Sequence, residues 1–374
     1  MEIRFLSLIN KFVHKGSFIL INSLKEPGIR KNQIELIKQN YDINTRRLIV
    51  FLTSGYDMIT GGILSISSLY EETKKIEEIH GSQTILSTVP GEPLLLKYTK
   101  FENKNYIYNF SQILTYFKDL DSLLIHIPEY ACIHFLNNIS KEEYSILDNI
   151  SDLQFNILIQ NIDIAMENMD EIKRLNGRFS NVTGTIAHEK YSNLENRQKF
   201  GFPLHKFSTY VSPEQYEYKN YHEKKEMLIV SHDEHPMKSH VLNVLHKEFP
   251  QLEIRIIEGM TYEDFKKVIS EAKWALTFGE GLDNYFIESI FSGGISFSVY
   301  NSKFFTEDFA SLRTVYSDYD ELIQKMAIDL KELDHESTYK NYQQKQYQLC
   351  SKYYDYNKYV RNLKQFYLGD YTFR

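Results

Sequence analysis

The chain has 374 residues, a net charge of −7 and 42% hydrophobic residues, enough for two domains with cores of ordinary size. Its acidic and basic residues are interspersed, which excludes the basic patches a nucleic-acid binder needs, and no apolar stretch approaches the roughly 20 residues that cross a bilayer. The two cysteines, Cys132 and Cys350, match no zinc or redox spacing, and a reducing cytoplasm is the expected compartment.

Taken in chain order, Met1 to Asn22 is mixed in character and lacks the apolar core of a signal peptide. Arg4, Lys11 and Lys15 among Phe5, Leu8, Ile9, Phe12 and Val13 leave two readings open. One is a basic amphipathic helix lying on a membrane, and the other is a helix packed on its own domain. Leu48 to Ser54 reads as a strand, followed by a loop with Gly55, Gly61 and Gly62 and a helix over 63–78. Further strands are expected at 83–89, 122–127, 155–160 and 182–187, alternating with helical stretches, so βαβ units and a mostly parallel sheet follow. Residues 200–225 carry Pro, aromatic and charged residues without a period and read as an interdomain link. A second series starts with a strand at 227–231 and a helix at 239–248. It continues with a strand at 252–257, a helix at 262–272 and a strand at 274–278. The stretch 336–368 reads as one helix with a tyrosine-rich face, either a packing face or a partner surface.

The most informative segment is Trp274-Ala-Leu-Thr-Phe-Gly-Glu280-Gly-Leu-Asp-Asn-Tyr-Phe-Ile-Glu288. An apolar strand runs into a turn punctuated by Gly279 and Gly281. A helix then starts near Tyr285, Gly293-Gly294 ends it, and Ile295 to Val299 reads as the next strand. Glu280 therefore stands at the carboxyl end of a strand and Glu288 in the helix that follows, and open α/β sheets bind ligands there. The bland alternative is two surface carboxylates on an amphipathic helix.

This segment resembles the Glu-x7-Glu signature of retaining glycosyltransferases of the GT-B fold, family-four type. The resemblance implies two Rossmann-like domains facing across a cleft, with a C-terminal helix crossing back. The corresponding bounds are 1–205 for the acceptor domain, 206–345 for the donor domain and 346–374 for the returning helix. It places Glu280 beside the transferred sugar and Glu288 on the ribose hydroxyls of a nucleotide, with Gly281 and Asn284 lining the donor. The Gly61-Gly62 loop resembles the glycine pair that opens many such enzymes, and a helix N-terminus after it suits a diphosphate. Lys238 falls within one residue of the lysine that holds the donor diphosphate. His232 stands where the family carries an arginine, a departure that gives less charge to a leaving diphosphate.

Gln160-Asn161 replaces a histidine near the donor sugar, which leaves Asn161 a hydrogen-bonding role. His126 and His188 end strands and have two readings, an acceptor contact or a satisfied structural histidine. His232, His235, His240 and His246 invite a metal, but no third ligand accompanies them, so neither a metal nor a cofactor is expected. Asp119-Leu-Asp121 and Asp318-Tyr-Asp320 read as structural, the second as the cap of a helix starting near Glu321. The expected substrates are a nucleotide-sugar donor and a glycan or glycoconjugate acceptor. The expected setting is bacterial surface polysaccharide synthesis in the cytoplasm, with peripheral membrane contact and oligomeric state open. A sugar-nucleotide epimerase or hydrolase, and a non-catalytic binding or assembly module, stand as alternatives.

Overall fold

The computed structural model describes residues 26–206, 211–282 and 284–374. The proposed amphipathic segment before Asn22 lies outside them. The described residues divide into two compact units, one made of 26–186, 194–205 and 364–374 and the other of 187–193, 206, 211–282 and 284–363.

The first unit is built on a sheet of seven strands. They are β1 (Arg47–Thr53), β2 (Gln83–Thr88), β3 (Ile107–Asn109), β4 (Ser122–Pro128), β5 (Asp152–Ile159), β6 (Val182–Ile186) and β7 (Leu204–Lys206). The spatial order is β3-β2-β1-β4-β5-β6-β7, and β1 through β6 pair in parallel. Strands covered on both faces need no polar alternation, which is why Leu48-Ile-Val-Phe-Leu52 is apolar throughout and almost fully buried. The order reverses direction at β1, so the crevice for a ligand lies outside the carboxyl ends of β1 and β4.

The second unit holds β8 (Lys225–Val230), β9 (Glu253–Ile256), β10 (Ala272–Leu276), β11 (Ile295–Val299) and β12 (Val315–Tyr316). Their order is β12-β11-β10-β8-β9, with every pair parallel. Counted within the unit this is the 2-1-3-4-5 arrangement of a doubly wound sheet, whose switch point falls between β8 and β10. One core cluster, with Phe265, Ile287 and Phe291, packs one side of the sheet. A second, with Trp274, Phe297 and Leu330, packs the other. Two Rossmann-like α/β units are thus what the sequence pattern called for.

Two helices differ from expectation. The one read as 63–78 begins at Gly61, where Thr60 caps it by accepting from the Ile63 N–H, and runs only to Lys74. A separate short helix, Glu77–His80, follows. The stretch 336–368 is two helices, Glu336–Tyr353 and Tyr356–Tyr367. Asp355 breaks it: its carboxylate accepts from the Lys358 N–H at 2.7 Å, so the chain caps a new helix there. Asp318 does cap the helix Tyr319–Leu333, accepting from the Glu321 N–H. Asp121 is held by Arg46 on the surface.

Candidate active site

The loops after β8 and β10 meet at the switch point of the second sheet. The Ser231 N–H donates to the Leu276 carbonyl at 3.0 Å, and the Phe278 N–H donates to the Ser231 hydroxyl at 3.0 Å, so the two strands leave the sheet stitched together. Asp233 then folds against the second loop, where a Cβ on Gly279 would come within 2.8 Å of its carboxylate. Gly281 has φ +87°, and a Cβ there would meet the Phe305 ring at 2.6 Å and the Val299 carbonyl at 2.9 Å. Glycine is therefore required at this turn for conformation and for space. The turn delivers Glu280, half-buried, to the end of β10 and starts the helix Asn284–Phe291. A Schellman motif ends that helix: Gly294 N–H donates to Ser289 O and Gly293 N–H, at φ +87°, to Ile290 O.

Glu288 sits in this helix and is 3% exposed. One of its oxygens, Oε1, accepts from the Tyr216 and Tyr262 hydroxyls, each at 2.7 Å. Burial and the neighbouring carboxylate push both phenols well above the usual tyrosine range, which keeps them protonated as donors. No local pattern pointed to these tyrosines, which lie 72 and 26 residues away.

Lys238 is turned inward. Its ammonium donates to the carbonyls of Ser231 at 2.9 Å and Asp233 at 3.0 Å, so it binds together the loop that holds His232 and Asp233. His232 is exposed, with Nδ1 3.5 Å from the Tyr285 hydroxyl. His235 stacks on Tyr319 at 3.9 Å between ring centres, and burial lowers its pKa. Asn284 is the first residue of the helix that carries Glu288. His188 precedes the short helix Glu189–Tyr191 and lies 5.3 Å from the Phe304 ring.

In the first unit, Gly61 and Gly62 open the helix after β1. The Gln160 amide donates to the Gly62 carbonyl at 3.1 Å, and a Cβ on Gly62 would meet the Gln160 carbonyl oxygen at 2.9 Å. The glycine loop and the end of β5 are thus in direct contact. Asn161 caps the next helix, accepting from the Asp163 and Ile164 N–H groups, while its own N–H donates to Glu129. Glu129 was missed by sequence analysis. It is 2% exposed, and burial raises its pKa to about 7.

His126 has the setting of the structural histidine that was the alternative to an acceptor contact. It is 1% exposed, stacked on Phe51 at 4.2 Å, and burial drives its pKa down to about 3. Its nitrogens meet the Tyr367 hydroxyl and the Asn156 amide, which leaves almost no ring surface for an acceptor. Among the described residues no His, Cys, Asp and Glu side chains gather as a metal site, the histidines between 232 and 246 included. No described helix is long and apolar enough to cross a membrane.

No family model matches the chain, and no curated protein matches its sequence. Solved structures do match. Sucrose-phosphate synthase from Thermosynechococcus elongatus is 9% identical, with a TM-score of 0.54 over 87% of this chain and 99% of that one. Anabaena HepE, solved with UDP and glucose, is 11% identical, with a TM-score of 0.51 over 86% of this chain and 98% of that one. OtsA in its apo form is 9% identical, with a TM-score of 0.50 over 87% and 99% of the two chains. At this identity the likeness is one of fold, and it spans nearly the whole of each chain.

Proposed function

We propose that the chain is a glycosyltransferase that moves a sugar from a nucleotide-sugar donor to a hydroxyl of a glycan or glycoconjugate acceptor. The observation that carries this reading is the placement of Glu280 and Glu288 on either side of a required glycine turn, at the switch point of the second sheet. HepE, which has the same fold, is crystallised with UDP and glucose, and a sugar nucleotide is the ligand the two carboxylates suit.

In this scheme the bond from the anomeric carbon to the leaving diphosphate breaks, a bond to the acceptor oxygen forms, and the acceptor proton passes to the departing phosphate. Glu280 orients sugar hydroxyls and offsets positive charge at the anomeric carbon. Glu288 receives the ribose. His232 faces the diphosphate, while Lys238 shapes the loop that carries His232. Retention of configuration, independence from metal and a place in bacterial surface polysaccharide synthesis complete the proposal.

The test is release of nucleoside diphosphate from a panel of nucleotide sugars, with and without polysaccharide acceptors. Acceptor-stimulated release that Glu280→Gln abolishes supports the reading. Release equal with and without acceptor points to a hydrolase or epimerase instead.

One observation favours a second reading, a non-catalytic binding module. The loop after β8 carries Asp233 and Glu234 where a diphosphate would lie, and its lysine is committed to backbone carbonyls. Nucleotide binding by a folded protein that turns over no donor would favour it.

A further inference from the structure

Two phenols share one carboxylate oxygen in the second unit. Tyr216 and Tyr262 each reach Glu288 Oε1 at 2.7 Å, and their own oxygens lie 3.1 Å apart. Each phenol has a single proton, and both are best spent on the carboxylate. The close approach of the two oxygens is therefore imposed by their shared acceptor. Two adjacent O–H groups donating to one carboxylate are what a vicinal cis-diol presents, at a similar spacing between the oxygens.

The two tyrosines differ in freedom. Tyr216 is 8% exposed within the core. Tyr262 is only half-buried. It is the first residue of the helix Tyr262–Glu271, directly after a loop in which Gly259 has φ +66°. Its ring lies near Phe265 at 5.9 Å and under the Lys266 ammonium at 5.1 Å, contacts that a rotated side chain can exchange for others.

We propose that Tyr216 and Tyr262 occupy the seat of a ribose diol on Glu288, and that a nucleotide enters by displacing the Tyr262 hydroxyl. This rests on the nucleotide reading above. Tyr262 is then a gate whose hydrogen bond every nucleotide must first break, so affinity carries that cost. Removing the hydroxyl while keeping the ring lifts the cost.

The experiment is calorimetric titration of the full chain and of Tyr262→Phe with UDP, GDP and ADP and with their 2′,3′-dideoxy counterparts. Circular dichroism confirms that each protein is folded, and Tyr216→Phe serves as the second variant. The expected result is binding of one ribonucleotide that Tyr262→Phe tightens about tenfold, the worth of one hydrogen bond to a charged group. The gain should vanish with the dideoxy form, which has no diol to take the vacated place. Equal or weaker binding by both tyrosine variants overturns the gate and leaves the nucleotide reading standing. A gain that persists with the dideoxy form overturns the diol seat. No binding by any folded protein takes down the gate and the nucleotide reading together.

Discussion

His126 and Tyr367 are joined through a 3.0 Å contact between the imidazole Nε2 and the phenol oxygen, across 241 residues of sequence. The Asn156 amide donates to the other ring nitrogen, so Nε2 carries the proton and donates to Tyr367. The same hydroxyl lies 3.0 Å from the Thr73 hydroxyl. The last residues of the chain are thereby tied to β4 and to the helix after β1, all within the first unit.

Tyr367→Phe removes the acceptor of a buried N–H while leaving the ring in place. An unsatisfied buried donor costs about 1–3 kcal/mol, so the first unit should melt several degrees lower. A differential scanning trace with no shift would mean the contact contributes nothing.

His126 also sets an acid limit. Its pKa is held near 3 in the fold, against about 6.5 when unfolded. Between those values the unfolded chain binds a proton that the folded chain refuses. Its contribution is therefore complete above about pH 6.5, falls by about 1.4 kcal/mol per unit as pH drops, and changes no further below about 3. His80 is the neighbouring group whose charge adds to the effect. The measurement is the slope of melting temperature against pH between 4 and 6.5. His126→Gln should flatten that slope relative to the parent, and equal slopes would refute the assignment.

The switch-point motif was legible because its signals are local. A strand, a glycine turn, a helix and a glycine pair fall within one run of sequence, and the structure gives each a backbone reason. Gly281 is at positive φ with no room for a Cβ, and Gly293 closes a Schellman motif. What surrounds Glu288 was not legible, because Tyr216 and Tyr262 reach it through tertiary packing. His126 kept two readings, acceptor contact and structural histidine, because strands buried on both faces show no alternation to mark a side chain as internal. The break at Asp355 was hidden under tyrosines that keep helical spacing on both sides of it.

Gly281→Ala should be severe. The substitution forces an L-residue into a left-handed conformation and drives its methyl into Phe305 and Val299, at a cost of about 1–3 kcal/mol for the backbone alone. The second unit should melt lower, and nucleotide binding should weaken because the turn sets both carboxylates. An alanine variant with an unchanged melting curve would contradict the turn as described.

Glu280→Gln tests the chemistry with the least disturbance. Glutamine keeps the size and one acceptor of the side chain but not its negative charge, and the half-buried position tolerates either. If Glu280 offsets charge that develops at the anomeric carbon, the loss appears in the transition state and not in the ground state. Turnover should fall by about 10²–10³, the scale seen when one preorganised electrostatic group is removed. Nucleoside diphosphate affinity should stay within a few-fold of the parent if, as proposed, Glu288 and the loop after β8 hold the nucleotide. Equal falls in kcat and kcat/KM are the signature of an interaction made only in the transition state. A rise in KM with kcat unchanged would instead make Glu280 a uniform binding contact for the sugar, and the catalytic role would pass to another group at the end of β8.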